Sequence, residues 1–315
     1  MHLNNKRILL TGACGFIGQE MTRQILSRQP ADFITIDKMS YMSSDEFHSA
    51  NGIPVYKIDI CSDAAAKLIG EFKPDIVINM AAESSVDVSI VNPDIFLESN
   101  VRGVTNLMSA GLKLEAVPLF VQISTDEIYG DKLSGWSVED DPRMASSPYS
   151  ASKAAAELFV EAYGRTYNLP YLITRSSNNY GPYQHHEKLI PRIIQNILAG
   201  KKIPVYGNGL MERDWIISSE NCYGIISIIE HYAKNDVYNV GGNKTTTNIE
   251  IIRRICKIMN VDEHDFIEFV EDRKGHDKRY AISCDKIKNH TGWTQKTSLD
   301  NGLKLTVEWY RAKYG

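Results

Sequence analysis

No apolar stretch in this chain approaches the roughly 18 residues that a membrane-crossing helix requires, and the short apolar segment 8–10 has no cleavage site after it. Cationic excess is missing too: 35 Lys and Arg stand against 39 Asp and Glu, a net charge of -4. That balance leaves no electrostatic footprint for nucleic acid or an anionic membrane surface. The nearest thing to a basic cluster, Arg253-Arg254, reads as a solvated helix face. Cysteine is sparse. Cys14, Cys61, Cys222, Cys256 and Cys284 are odd in number, far apart and never spaced Cys-x-x-Cys. This argues against a disulfide framework and for reduced thiols in a cytoplasmic protein. His185-His186 has no evident third ligand, so no metal site is expected. Repeats, low-complexity tracts and Pro/Gly-rich linkers are also lacking, so any lobes should pack tightly.

What the 315 residues do contain is an alternation of apolar strands and helical stretches. Strands are expected at 8–11, 33–37, 55–59, 75–80, 119–124 and 171–174, with helices between them that include 100–112 and 149–167. Repeated strand–helix units give a doubly wound parallel α/β sheet with helices on both faces. Right-handed crossovers put every strand C-terminus on one edge, where ligands bind. After residue 175 the alternation weakens. A turn at 178–182 precedes a helical run 188–198, a strand 203–206, the turn 207–209, a helix 219–232 and a strand 237–240. A helix 248–259, a charged loop 272–277 and a final helix 299–311 close the chain. The division expected is a dinucleotide-binding unit over 1–175, with returns from roughly 214–245, and a smaller mixed α/β ligand-binding lobe over most of 176–315.

The first strand runs into Gly12-Ala13-Cys14-Gly15-Phe16-Ile17-Gly18, and helical apolar spacing follows over 17–26. Glycines at a strand-to-helix turn let the backbone approach a pyrophosphate whose charge sits at the helix N-terminus. Asp37 ends the second strand, an acid about 20 residues past the glycines, suited to the adenosine ribose hydroxyls and repulsive to a ribose phosphate. The cofactor expected is therefore NAD. Asp59-Ile60, Met80-Ala81-Ala82 and Ser124-Thr125-Asp126-Glu127 fall at other strand ends and converge on the same edge.

Tyr149 and Lys153 are four residues apart, on one face of a helix. There an ammonium favours the phenolate and makes the tyrosine a usable base. That pair suggests oxidation of an alcohol. Asp126-Glu127 adds an acid and a base that hydride transfer alone does not need but loss of water does. The pattern points to a dehydratase running on a nicotinamide cofactor.

Taken together the chain resembles the extended short-chain dehydrogenase/reductase family and, within it, the dTDP-glucose 4,6-dehydratases. The motifs that carry the resemblance include Thr125-Asp126-Glu127-Ile128-Tyr129-Gly130, Ser147-Pro148-Tyr149-Ser150-Ala151-Ser152-Lys153, and Ser177-Asn178-Asn179-Tyr180-Gly181-Pro182-Tyr183. Others are Glu187-Lys188-Leu189-Ile190-Pro191, Pro204-Val205-Tyr206-Gly207, Arg213-Asp214-Trp215, Asn239-Val240-Gly241-Gly242 and residues 272–277. The resemblance implies a Rossmann sheet, a nucleotide-hexose substrate and a homodimer joined through the helices 100–112 and 149–167. It assigns catalysis to Thr125, Asp126, Glu127, Tyr149 and Lys153. For NAD it implies Gly12, Gly15, Phe16, Ile17, Gly18, Asp37, Lys38, Ser40, Asp59, Ile60, Met80, Ala81, Ala82, Ser84 and Ser99, with Tyr149 and Lys153. For the substrate it implies Ser84, Ser85, Thr125, Asn178, Asn179, Glu187, Lys188, Leu189, Pro204, Tyr206, Arg213, Asn248, Arg273 and His276. Two positions depart: the family usually has His where Ser85 stands and Arg where Val88 stands, which bears on the choice of sugar. Arg213 reads either as a diphosphate clamp or as a surface partner of Asp214, and Tyr206 equally as core or as a base-stacking face.

Overall fold

The computed structural model describes residues 1–272 and 277–315. Seven strands make the central sheet: β1 (Arg7–Thr11), β2 (Asp32–Asp37), β3 (Val55–Lys57), β4 (Ile76–Asn79), β5 (Leu119–Thr125), β6 (Tyr171–Ser176) and, from far along the chain, β10 (Asp236–Val240). Their order is β10-β6-β5-β4-β1-β2-β3, and every pairing is parallel. Strands covered on both faces read as unbroken apolar runs, and period-2 alternation sorts their residues between two cores. Ile8, Leu10, Ile76, Ile78, Leu119 and Val121 pack on one side with Met21, Ile225 and Ile229. Leu9, Val77 and Phe120 face the other, with Ile69, Leu107 and Val160.

The strand order reverses between β1 and β4, which opens a crevice at their C-terminal ends. Buried polar side chains hold that edge together. Thr11 Oγ1 donates to Asn79 Oδ1 at 2.6 Å, Asn79 Nδ2 donates to Gln122 Oε1 at 2.9 Å, and the Ala81 amide donates to Thr11 Oγ1 at 3.2 Å.

The remaining strands are β7 (Asn178–Tyr180), β8 (Ile203–Tyr206), β9 (Glu212–Ile217), β11 (Thr245–Thr247) and β12 (Ile267–Val270). They form a three-stranded sheet, β11-β9-β7, and a parallel pair, β12-β8. Around them the helices Leu189–Leu198, Asn248–Met259 and Leu299–Tyr314 bury Ile190, Ile194, Ile252 and Leu303 in a core of their own.

Several local expectations change. The 178–182 segment read as a turn is strand β7 as far as Tyr180, and Gly181 then turns the chain at φ 149. The third strand stops at Lys57 because Asp59 already folds back, its Oδ1 accepting from the Cys61 amide at 2.8 Å. The helix expected over 100–112 begins as a π-helical turn, Leu97–Arg102, and becomes α-helical over Gly103–Gly111. The charged loop 272–277 lies mostly outside the described residues.

Candidate active site

A cavity of about 300 Å³ lies over the C-terminal edge of the sheet. Its floor at one end is the glycine turn after β1. Gly12 has φ +66, and a Cβ there would stand 2.6 Å from the Ala81 nitrogen. A Cβ on Gly18 would stand 2.8 Å from Ala13 Cα, so helix Phe16–Leu26 can lie against the turn only without one. Gly15 caps that helix with no side chain in the way of its amides. Asp37 is buried and organises the turn from the neighbouring strand. Its Oδ2 accepts from the Cys14 amide at 3.0 Å, and its Oδ1 accepts from the Met39 amide at 2.8 Å and Ser43 Oγ at 3.0 Å. Cys14 is fully buried, and burial followed by Asp37 pushes its thiol up to about 12.

The other end is built by two elements whose starts the sequence dictates. Ser147 and Ser150 form a capping box with Pro148 in the first turn, which fixes where helix Pro148–Tyr167 begins and so where Tyr149 and Lys153 project. Thr125 ends β5 and caps the 3-10 turn Asp126–Tyr129, accepting from the Glu127 amide at 3.3 Å. Thr125, Asp126, Glu127, Tyr149 and Lys153 thereby line one cavity.

Burial governs the electrostatics. Asp126 is held well above the usual carboxylate range, first by desolvation, then by the charges of Glu127 and Asp214. Its Oδ2 has no protein partner, which suits a protonated oxygen with a donor to give. Lys153 is pushed down to about 8 by burial, with Glu157 opposing, and its Nζ donates to the Ile123 carbonyl at 2.5 Å. Tyr149 is pushed up by burial and Glu127, with the Thr125 hydrogen bond opposing. The expected easing of the phenolate by Lys153 is not among the causes acting on Tyr149, and the Lys153 Nζ donates instead to the Ile123 carbonyl.

All the residues expected at the cofactor except Asp59 line the cavity. Asp59 stands outside it, using its carboxylate to hold the turn after β3. Of the substrate set, Ser84, Thr125, Asn178, Asn179 and Lys188 line it. Lys188 Nζ donates to the Ser84 carbonyl at 3.0 Å. Ser85 caps helix Val86–Val91 just outside, and Glu187 accepts from the Tyr41 hydroxyl at 3.2 Å. Leu189 starts its helix and packs on the second core, while Pro204 and Tyr206 lie on β8 with Tyr206 partly exposed. Arg213 is no surface partner of Asp214: it is buried, donates to the Asp277 carbonyl at 2.8 Å, and its guanidinium lies 4.3 Å from the Tyr280 ring centre. Asn248 heads helix Asn248–Met259 with its Oδ1 buried and unpartnered. Arg273 and His276 fall outside the described residues. Sequence reasoning missed Ser43, Ser176 and Gln184 on the cavity wall and weighed His185, also on it, only as a metal ligand. Ser43 had a faint signal in its distance from Asp37; the others had none.

The profile of the family described as GDP-mannose 4,6 dehydratase matches residues 9–306. The dTDP-glucose 4,6-dehydratase of Haemophilus influenzae is 38% identical, over 96% of this chain and 97% of its own. The crystal structure of the Streptomyces venezuelae dTDP-glucose 4,6-dehydratase with NAD bound is similar at TM-score 0.92 and 37% identity, covering 97% of each chain. The UDP-glucose 4-epimerase of Thermotoga maritima reaches the same TM-score, 0.92, at 26% identity, over 98% of this chain and 100% of its own.

Proposed function

The chain belongs to the GDP-mannose 4,6 dehydratase family, and from that membership we propose that it is an NAD-dependent nucleotide-sugar 4,6-dehydratase whose substrate is dTDP-glucose. The observation that carries this reading is the Asp126–Glu127 pair in the same cavity as Tyr149 and Lys153. An epimerase has to move hydride and the 4-hydroxyl proton, and has no use for a buried acid beside a second carboxylate.

The glycine turn fits a dinucleotide pyrophosphate, since Gly12 and Gly18 leave no Cβ in its way, and Asp37 fits the adenosine ribose. Gly15, Phe16, Ile17, Lys38, Ser40, Ile60, Met80, Ala81, Ala82, Ser84 and Ser99 complete the wall that holds it. The chemistry NAD supplies when bound is a reversible hydride exchange, out at C4 of the hexose and back at C6. Tyr149, beside Thr125 and as the phenolate that the Lys153 ammonium favours, takes the 4-hydroxyl proton and becomes neutral. The 4-ketone acidifies the C5 hydrogen, which Glu127 removes as a proton. Asp126, kept protonated by burial, gives its proton to the departing 6-hydroxyl, so water leaves across C5 and C6. A proton returned to C5 completes the 4-keto-6-deoxy sugar. Adjacent carboxylates suit opposite roles because one ionised neighbour disfavours ionisation of the other.

Asn178, Asn179 and Lys188 hold the nucleotide sugar at the open end, with Glu187, Leu189 and Arg213 behind them. We place the enzyme in the cytoplasm: its five cysteines are all free thiols, and among the described residues no helix is long and apolar enough to cross a membrane. It works as a homodimer, because Leu97, Leu158, Phe159 and Tyr167 are more than two-fifths exposed on the π-helical turn and helix Pro148–Tyr167, where a second copy would cover them. Incubation of purified protein with a panel of nucleotide hexoses, read by mass spectrometry, tests the activity. Loss of one water from dTDP-glucose is expected. A product of unchanged mass with inverted C4 would overturn it.

A further inference from the structure

Arg175 is among the largest fully buried side chains of the molecule, and it touches both segments that carry the catalytic constellation without lining the cavity. Its position on β6 is opposite Ser124 of β5 and Asn239 of β10, at the ligand-facing end of the sheet. Toward helix Pro148–Tyr167 its Nε donates to Glu157 Oε1 at 3.1 Å and its Nη2 to Glu157 Oε2 at 2.8 Å, a two-armed grip on a fully buried carboxylate. Toward the turn Asp126–Tyr129 its Nη1 donates to the Tyr129 hydroxyl at 2.7 Å, with the guanidinium 4.9 Å from the Tyr129 ring centre. Nη1 also donates to the Glu139 carbonyl at 2.7 Å. The Tyr129 hydroxyl passes the contact on to Asn239 Oδ1 at 2.8 Å. Arg143 closes the far side, donating to Glu157 Oε2 at 2.8 Å and to Glu161.

Glu157 follows Lys153 by four residues on the helix, and Tyr129 follows Asp126 by three on the turn. One guanidinium therefore ties together the two segments that carry the base pair and the acid pair. We propose that Arg175 and Glu157 are positioning residues for the dehydratase reaction: the grip fixes helix against turn, and the Glu157 carboxylate supplies the negative charge that keeps the buried Lys153 ammonium protonated. This rests on the reading of Tyr149 and Lys153 given above. Two arginines, Arg175 and Arg143, pair with the buried Glu157 carboxylate and offset the cost of burying it. Lys153 shares the cavity with Tyr149, Thr125, Asp126 and Glu127 and donates to the Ile123 carbonyl, while Glu157 stands one helical turn on with Arg175 and Arg143 against it. Glu157 is the charged group that acts on it against desolvation.

The test is Glu157→Gln, with Lys153 titrated by NMR of carbon-13-labelled lysine and its signal assigned by comparison with Lys153→Met. The Lys153 proton should be lost roughly one pH unit lower in Glu157→Gln, the order expected for a unit charge one helical turn away. Glu157→Asp should restore most of the difference. In turnover the alkaline limb of kcat should move the same way, with KM for the nucleotide sugar little changed. A purely structural residue would lower stability and leave the titration alone. An unmoved Lys153 titration in folded Glu157→Gln overturns the proposal. If that variant does not fold, Arg143→Met, which removes one of the two guanidiniums on Glu157, must move the Lys153 proton loss upward, and an unmoved titration there overturns the proposal equally. The titration uses no sugar, so failure of the dehydratase reading in the hexose panel is seen separately.

Discussion

Replacing Lys153 by Met should make the protein more stable at neutral pH while removing its activity. The ammonium is buried, and its pKa falls from 10.5 to about 8. At about 1.4 kcal/mol per pH unit, burying the charged form costs about 3 kcal/mol. Methionine has a similar length and no charge, and the Ile123 carbonyl that Lys153 served keeps a second donor, Gln122 Nε2, at 3.0 Å. No orphan group is left behind. The pH window follows from the direction of the shift. Between about 8 and 10.5 the unfolded chain still holds a proton on Lys153 that the folded chain has released, so wild-type stability rises with pH across that range. The advantage of Lys153→Met is therefore full below about 8, shrinks through the window and is gone above 10.5. Thermal unfolding followed at pH 7 and pH 9.5, with the dinucleotide stripped and again with saturating NAD, measures it. At roughly 2–4 °C per kcal/mol for a domain of about this size, a rise on the order of 6 °C is expected at the lower pH. Turnover should fall by about 10²–10⁴. A variant less stable than wild type at pH 7, or an advantage of equal size at both pH values, refutes the reasoning.

Tyr149→Phe should abolish oxidation at C4 and every later step, whereas Glu127→Gln should still give a transient absorbance of reduced nicotinamide without product; equal loss of that signal in both breaks the division of labour. Because hydride is borrowed and returned, purified protein should release NAD on denaturation and need no added cofactor in stoichiometric amount; recovery of NADP instead would contradict the role of Asp37. Light scattering at micromolar concentration should report a dimer, and Phe159→Glu, which puts a charge on the exposed face of helix Pro148–Tyr167, should shift it toward monomer with little change in melting temperature.

The parts legible in the sequence are those whose cause is local. Gly12 and Gly18 announce a turn where the backbone must approach closely, Asp37 is placed by the length of one strand–helix–strand unit, and the spacing of Tyr149 and Lys153 puts them on one helix face. Strand ends such as Ser124–Thr125 were legible because a parallel sheet gathers them on one edge regardless of side-chain detail. The illegible parts depend on partners distant in the chain. Strand β7 is three residues long and exists because β9 lies beside it, so 178–180 could not be told from the turn that follows. The register of Arg175 against Ser124 and Asn239, and hence its reach to Glu157 and Tyr129, is set by two pairings the sequence does not reveal. Lys153 illustrates a different gap. Its spacing from Tyr149 was readable, but its preference for the Ile123 carbonyl depends on how deeply the helix packs on β5.

The seventh strand of the central sheet has a consequence for how the protein is made. β10 pairs with β6 along its whole length, from Asp236 opposite Leu172 to Val240 opposite Ser176, yet about sixty residues separate the two strands in the chain. When β6 leaves the ribosome it is an apolar edge with unpaired backbone groups, and its neighbour has yet to be translated. The intervening residues bring about half of the smaller lobe's core, Ile190 and Ile194 among them, and the rest, including Ile252 and Leu303, follows β10, so the two cores are interleaved along the chain. The nascent chain is thus committed to completing both units together, and a product halted near residue 175 would present β6 to other chains as a template for aggregation.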